Sequence, residues 1–179
     1  MRPQNAEFAE MLQQLLNSVK SLEVALRDGS LVRAVVSRHG DDIMEEQRIQ
    51  LLEGKASDGR DIRPYYSEDL KPTGWFHSRQ TAANYAAWKQ SGISYPYSVE
   101  RKPDAPNLYV NGRFHSELGV QFTSTGVLID GETGYARGIV AKYGLRTFGL
   151  MPERWRELFY QRGLYDELMA EITLILNGY

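Results

Sequence analysis

Apolar residues recur at three- and four-residue steps near the start of the chain, at Phe8, Met11, Leu12, Leu15, Leu16, Val19, Leu22 and Leu26. That spacing follows the 3.6-residue helical turn, so it predicts one helix with an apolar stripe, closed by Asp28-Gly29. The next apolar run, Leu31 to Ser37, suits helix or strand equally. Asp41 to Leu52 reads as a helix, with acids in its first turn and Gly54 just past its end. Asp58-Gly59 then predicts a turn that leads into a short strand or loop.

Residues 64–109 break this pattern. They hold five of the seven prolines and nine of the twenty aromatics, which predicts a loop-rich insertion of the kind that carries function or assembly surface. Inside it, Arg79 to Gln90 reads as a short helix with Ser78 as N-cap and Gly92 beyond the end. From Leu108 to Ile129 the residues take on β character, and "GVQFTSTGVLIDG" reads as two strands split by Ser124-Thr125-Gly126. A short helix around Tyr135 to Lys142, a turn at Gly144, and helices from Pro152 to Gln161 and Leu164 to Leu176 follow. Pro152 suits a first helical turn, and Leu164, Leu168, Ile172, Ile175 and Leu176 form a second apolar stripe. The expected fold is α+β in one domain, residues 1–179. It has a small, mainly antiparallel sheet around residues 116–131, packed by the N-terminal helix and the C-terminal helices, with 64–109 as an aromatic-rich insertion.

Composition adds exclusions more than assignments. With 42% hydrophobic and 25% charged residues the chain should fold. Its 21 basic and 23 acidic side chains leave a net charge of -2, so no global field draws it to nucleic acid or an anionic membrane. The absence of cysteine removes disulfides, thiolate metal sites and cysteine nucleophiles. "MRPQNAEFAEMLQQ" has acids and no continuous apolar core, and no later run approaches the ~20 apolar residues of a membrane span. Neither a signal peptide nor a membrane partner is expected, and the product reads as cytoplasmic when made.

Candidate chemistry is sparse. His39, His77 and His115 lack helical metal spacing and read as surface histidines. Asp41, Asp42, Glu45 and Glu46 are the acids a helix dipole favours in and after a first turn. "GKASDG" lacks the glycine spacing of a phosphate loop, and no nucleophile elbow is present. Glu100, Lys102 and Asp104 are the nearest grouping that a metal-dependent nuclease could use. The aromatics of the insertion, above all Tyr65, Tyr66, Trp75, Phe76, Trp88, Tyr95 and Tyr97, are either loop anchors or interface residues, since Tyr and Trp offer large contact area at small entropic cost. Stacking on bases is less favoured at this net charge.

The order of features from "QLLEGKASDGRDI" onward resembles small neck proteins of tailed bacteriophages, the virion-morphogenesis and tail-completion (head-to-tail joining) families, as found in phages and prophages of Bacteroides-like bacteria. The resemblance covers roughly residues 47–176 and rests on "NLYVNGRFHSEL", the hairpin, "YARGIVAKYG" and "FGLMPERWREL". Leu108, Gly112, Phe114 and Leu118 take the first part of the family pattern, Tyr135-Ala136 and Tyr143-Gly144 the second, and Phe148-Gly149-Leu150 the third. Val110-Asn111-Gly112 departs from it, because the family more often shows Asp-Thr-Gly there.

The resemblance implies a structural virion protein of the neck or tail, without catalytic residues or cofactor. It would form a homo-oligomeric ring and touch connector or portal-side and tail-tube proteins, with passing contact to DNA in the channel. Its place would be the virion, and the host cytoplasm during assembly. It also implies that Tyr135 and Ala136 start a helix against the sheet, Gly144 ends it, and Phe148 and Leu150 plug the core. Arg137, Lys142 and Arg146 are then solvated, paired with a neighbouring subunit, or facing DNA. Two readings compete with this one. The first is a metal-dependent nuclease or other hydrolase of a mobile element, with Glu100, Asp104, His115 or Glu117 as its acids and bases. The second is an interaction module whose first helix binds a partner helix.

Overall fold

The computed structural model describes residues 3–123, 126–131 and 134–178, with the backbone alone described for residues 3–7 and for Tyr135. In chain order these form α1 (Pro3–Arg27), α2 (Ser30–Arg38), α3 (Gly40–Leu52), α4 (Arg79–Ser91), α5 (Arg113–Ser116), β1 (Leu118–Thr123), β2 (Gly126–Gly131), α6 (Gly134–Tyr143), a 3-10 turn (Leu145–Thr147), α7 (Pro152–Gln161) and α8 (Leu164–Leu176). The fold is α+β: the described residues hold eight helices and one two-stranded antiparallel sheet. The contacts gather into two compact units. One comprises Met1–Gly40, Phe122–Val127 and Glu157–Tyr179, the other Asp41–Gln121 and Leu128–Arg156.

In the first unit α1, α2 and α8 pack pairwise. The α1–α2 break falls at Asp28-Gly29, where Gly29 takes φ 70 and the Asp28 carboxylate accepts from the Ser30 N–H at 2.8 Å. The ambiguous run Leu31 to Ser37 is helical and buries Leu31, Val35 and Val36 at helical spacing. Arg38 holds Glu167 and Glu171 of α8, each at 2.9 Å. His39, expected on the surface, is buried 3.2 Å from Glu167, because it closes the α2 C-terminus where α8 covers it. On α8, Leu164 is buried while Leu168, Ile172 and Ile175 are half-buried and Leu176 is exposed.

In the second unit α3 is the central element, with Ile43, Leu51 and Leu52 fully enclosed. Its polar face is buried too. The Gln47 amide donates to Thr147 O (3.3 Å) and accepts from Gly149 N (2.8 Å), and the Gln50 amide donates to Gly149 O (2.9 Å) and accepts from Met151 N (2.7 Å). Two side chains thus hold the Phe148-Gly149-Leu150 turn as a neighbouring strand would. Glu46, read from the sequence as an acid favoured by the helix dipole, is 1% exposed and meets Arg154 at 3.0 Å, and Arg154 also bonds Glu53 at 2.5 Å. Asp41, at the helix start, is exposed.

β structure begins at Leu118, ten residues later than expected. Leu108 (φ 52) and Gly112 (φ 81) both take left-handed backbone, which interrupts an extended chain, and α5 follows. Within the hairpin Leu118 is buried, and Ile129 is buried between exposed Leu128 and Asp130. The turn residues Ser124 and Thr125 lie outside the described residues. The α6 backbone starts one residue ahead of Tyr135 and ends at Gly144, whose φ 84 and ψ 166 only glycine adopts readily. Leu150 is buried, and Phe148, half-buried, meets the Phe114 ring edge-on at 6.2 Å. Lys142, expected in solvent or on a neighbour, is instead paired with buried Asp69 of its own chain, and Arg146 reaches Asp58 at 3.5 Å.

Candidate functional site

The insertion 64–109 carries the most elaborate side-chain arrangement of the second unit. α4 starts as its sequence requires: Ser78 Oγ accepts from Thr81 N–H (3.2 Å), and Thr81 Oγ1 accepts from Ser78 N–H (3.0 Å), a reciprocal cap. Gly92 closes the helix. Ala82, Tyr85, Ala86 and Lys89 then fall on one inward face. Two small residues let the body approach, and Tyr85 meets Tyr66 edge-on at 5.0 Å and Phe76 at 5.4 Å.

Beside this cluster lies a cavity of about 360 Å³ whose wall includes Tyr66, Phe76, Tyr85, Leu108 and Tyr143. Trp75 and Val110, which also line it, are exposed and mark its solvent side. Volume and lining fall in the range of small-molecule sites, which are mostly apolar with a few placed polar groups. Three charged groups stand out in the lining. Asp69 is paired with Lys142, and Arg113 with Glu117 at 2.9 Å. The third, Lys89, is 3% exposed and has one hydrogen-bond partner among the described residues, the carbonyl of Tyr109. Burial holds the Lys89 ammonium down to about 8, with Arg101 adding repulsion.

Behind Lys89 runs a polar chain. Tyr95 Oη donates to Lys89 O (2.5 Å), Asn107 Nδ2 to Tyr95 Oη (3.2 Å), and His115 Nε2 lies 3.3 Å from Asn107 O. His115 was expected on the surface, yet it is buried against Tyr109 and Phe114. Burial pushes its pKa down to about 4, and its Nδ1 has no partner among the described residues. Of this network the sequence offered one signal: Lys89 occupies the i+7 position of an otherwise apolar or small helix face.

The interface candidates separate into two groups. Tyr66 belongs to the core of its own unit, so it is a loop anchor and no free interface residue, and Phe76 packs on it edge-on at 5.9 Å. Tyr65 donates to Asp61 and lies under Arg63, 3.6 Å from its ring. Tyr95 is tied into the polar chain with Arg101 stacked at 3.8 Å, and Tyr97 is half-buried. Trp75, 69% exposed, and Trp88 remain open to partners.

Of the residues named for hydrolysis, Asp104 and Glu117 make contacts within the chain. The Asp104 carboxylate accepts from Ser67 N–H at 3.0 Å, Glu117 holds Arg113, and Glu100 is exposed. No group of three or more His, Cys, Asp or Glu among the described residues is placed to hold a metal ion. Nor is any described helix long and apolar enough to cross a membrane.

The first unit offers a surface of another kind. Phe8, Met11, Leu12, Leu15, Leu16 and Val19 of α1 are 47–57% exposed, and Tyr160, Tyr165, Met169 and Leu174 of α7 and α8 are exposed as well. Exposed apolar side chains grouped along one helix in this way mark association sites. Comparison of the chain with family models, curated proteins and solved structures found no match in any of the three.

Proposed function

We propose that the chain is a structural protein of a tailed-phage neck or tail, a tail-completion or head-to-tail joining subunit that acts by assembling into a ring. Exposure of the apolar face of α1 carries the assembly part of this reading. A 25-residue helix is about 37 Å long, and Phe8, Leu12, Leu15, Val19, Leu22 and Leu26 alternate four- and three-residue steps along it. That is the 3.5-residue seam by which helices of two chains interlock. The partner that fits it best is a second copy. The motifs between residues 47 and 176 support the neck assignment, with portal-side and tail-tube proteins as neighbours. Exposed Arg137 is available to DNA in a channel. The protein would reside in the virion, after assembly in the host cytoplasm.

Sedimentation velocity over a concentration series tests self-assembly. The full chain should associate, and Leu12→Glu combined with Val19→Glu, both at exposed positions, should shift it to monomer while circular dichroism stays unchanged. A chain monomeric at every concentration would overturn ring formation. Mass spectrometry of particles purified from the strain that carries the gene tests the location: the chain should be present in multiple copies per particle, and its absence would overturn the virion assignment.

A further inference from the structure

The cavity of the second unit has one charge that meets no opposite among the described residues. Asp69 is matched by Lys142 and Arg113 by Glu117, which leaves the Lys89 ammonium with a neutral carbonyl alone. An ammonium has three donors, and a lone cation removed from water is costly unless an anion or further acceptors meet it. The rest of the wall is aromatic and apolar, with the rings of Tyr66, Phe76 and Tyr85 set at 5.0–5.9 Å in edge-on and tilted pairs. Such walls offer both ring faces and ring edges to a flat guest. Leu108, in the same wall, is the one non-glycine described residue with positive φ. Strained backbone of this kind gathers at binding sites.

We propose that this cavity binds a small aromatic carboxylate, its ring among Tyr66, Phe76 and Tyr85 and its carboxylate on the Lys89 ammonium. The ligand supplies the opposite charge that Lys89 lacks, and its flat body displaces water from the apolar wall. An uncharged amide would fill the same space and offer Lys89 an acceptor without the opposite charge, so the acid is preferred over its amide. The residues that line this site all belong to the second unit, whereas the α1 face belongs to the first.

Calorimetric titration of the full chain with 2-naphthoate, and in parallel with its uncharged amide, tests the proposal. The acid should bind at one site per chain and at least about tenfold more tightly than the amide. Lys89→Met, which keeps most of the side-chain volume, should erase that preference. Val110→Trp, at an exposed lining position, should weaken both ligands at least about tenfold by filling the mouth. Should Lys89→Met fail to fold, the acid–amide comparison in the native chain and the Val110→Trp result still decide. The absence of saturable binding up to millimolar acid, equal affinity for the amide in the native chain, or unchanged binding in Val110→Trp would each overturn it.

Discussion

Replacing Gln50 with leucine should destabilise the second unit by about 2–4 kcal/mol, and the figure follows from two backbone groups. Gln50 is fully buried, donating to Gly149 O and accepting from Met151 N. Leucine is close in volume, so the change leaves little cavity and mainly removes both hydrogen bonds. Each partly buried group left unsatisfied costs about 1–3 kcal/mol, and Gln47 still holds Thr147 O and Gly149 N, which keeps the total below the upper sum. Against a typical stability of about 5–15 kcal/mol, this is a large fraction. All three tryptophans, Trp75, Trp88 and Trp155, belong to the second unit, so tryptophan fluorescence in a urea titration follows that unit. Gln50→Glu keeps the acceptor and regains a donor on protonation, so its deficit should shrink as pH falls. Gln47→Leu combined with Gln50→Leu should be non-additive, since both hold one turn. A Gln50→Leu loss under about 0.5 kcal/mol would refute the view that these amides fix the turn into α7.

Two further outcomes follow from single residues. Gly144→Ala meets no atom within 4 Å, so its cost should be backbone strain alone, about 1–3 kcal/mol in the same titration; a neutral result would mean that the backbone relaxes out of φ 84 and ψ 166. His115 is held neutral by burial, with its pKa lowered from 6.5 to about 4. The unfolded chain therefore binds the extra proton between these values, and the stability due to neutral His115 is present above pH 6.5 and lost as pH falls toward 4. The stability difference between the native chain and His115→Gln should move by about 3 kcal/mol across that window, as denaturant titrations at several pH values would measure; a pH-independent difference would show that the ring is solvated.

Signals confined to a few neighbouring residues were sufficient to place most elements. Ser78 with Thr81 starts α4, Pro152 opens α7, and Gly29, Gly54 and Gly144 stand at breaks with φ of 70, 74 and 84. Capping, proline geometry and positive φ act within one turn of chain, so the sequence displays them directly. The periodicity at Phe8 to Leu26 likewise named a helix and its apolar face. It did not say what covers that face, and from Phe8 to Val19 its apolar residues stay 47–57% exposed. Only tertiary structure decided which polar residues go inside. Gln47 and Gln50 look like the solvated side of a helix until partners about 100 residues away are brought against them. Glu46 needs Arg154, Asp69 needs Lys142, and buried His115 lies on the carbonyl of Asn107. A polar side chain can be buried only where its hydrogen bonds are met, and here most of the groups that meet them come from distant segments. The left-handed Leu108 stands where β character was expected to begin, and for a similar reason: a non-glycine residue keeps that conformation only when its surroundings compel it. The cavity and the solitary charge of Lys89 arise from that same long-range packing.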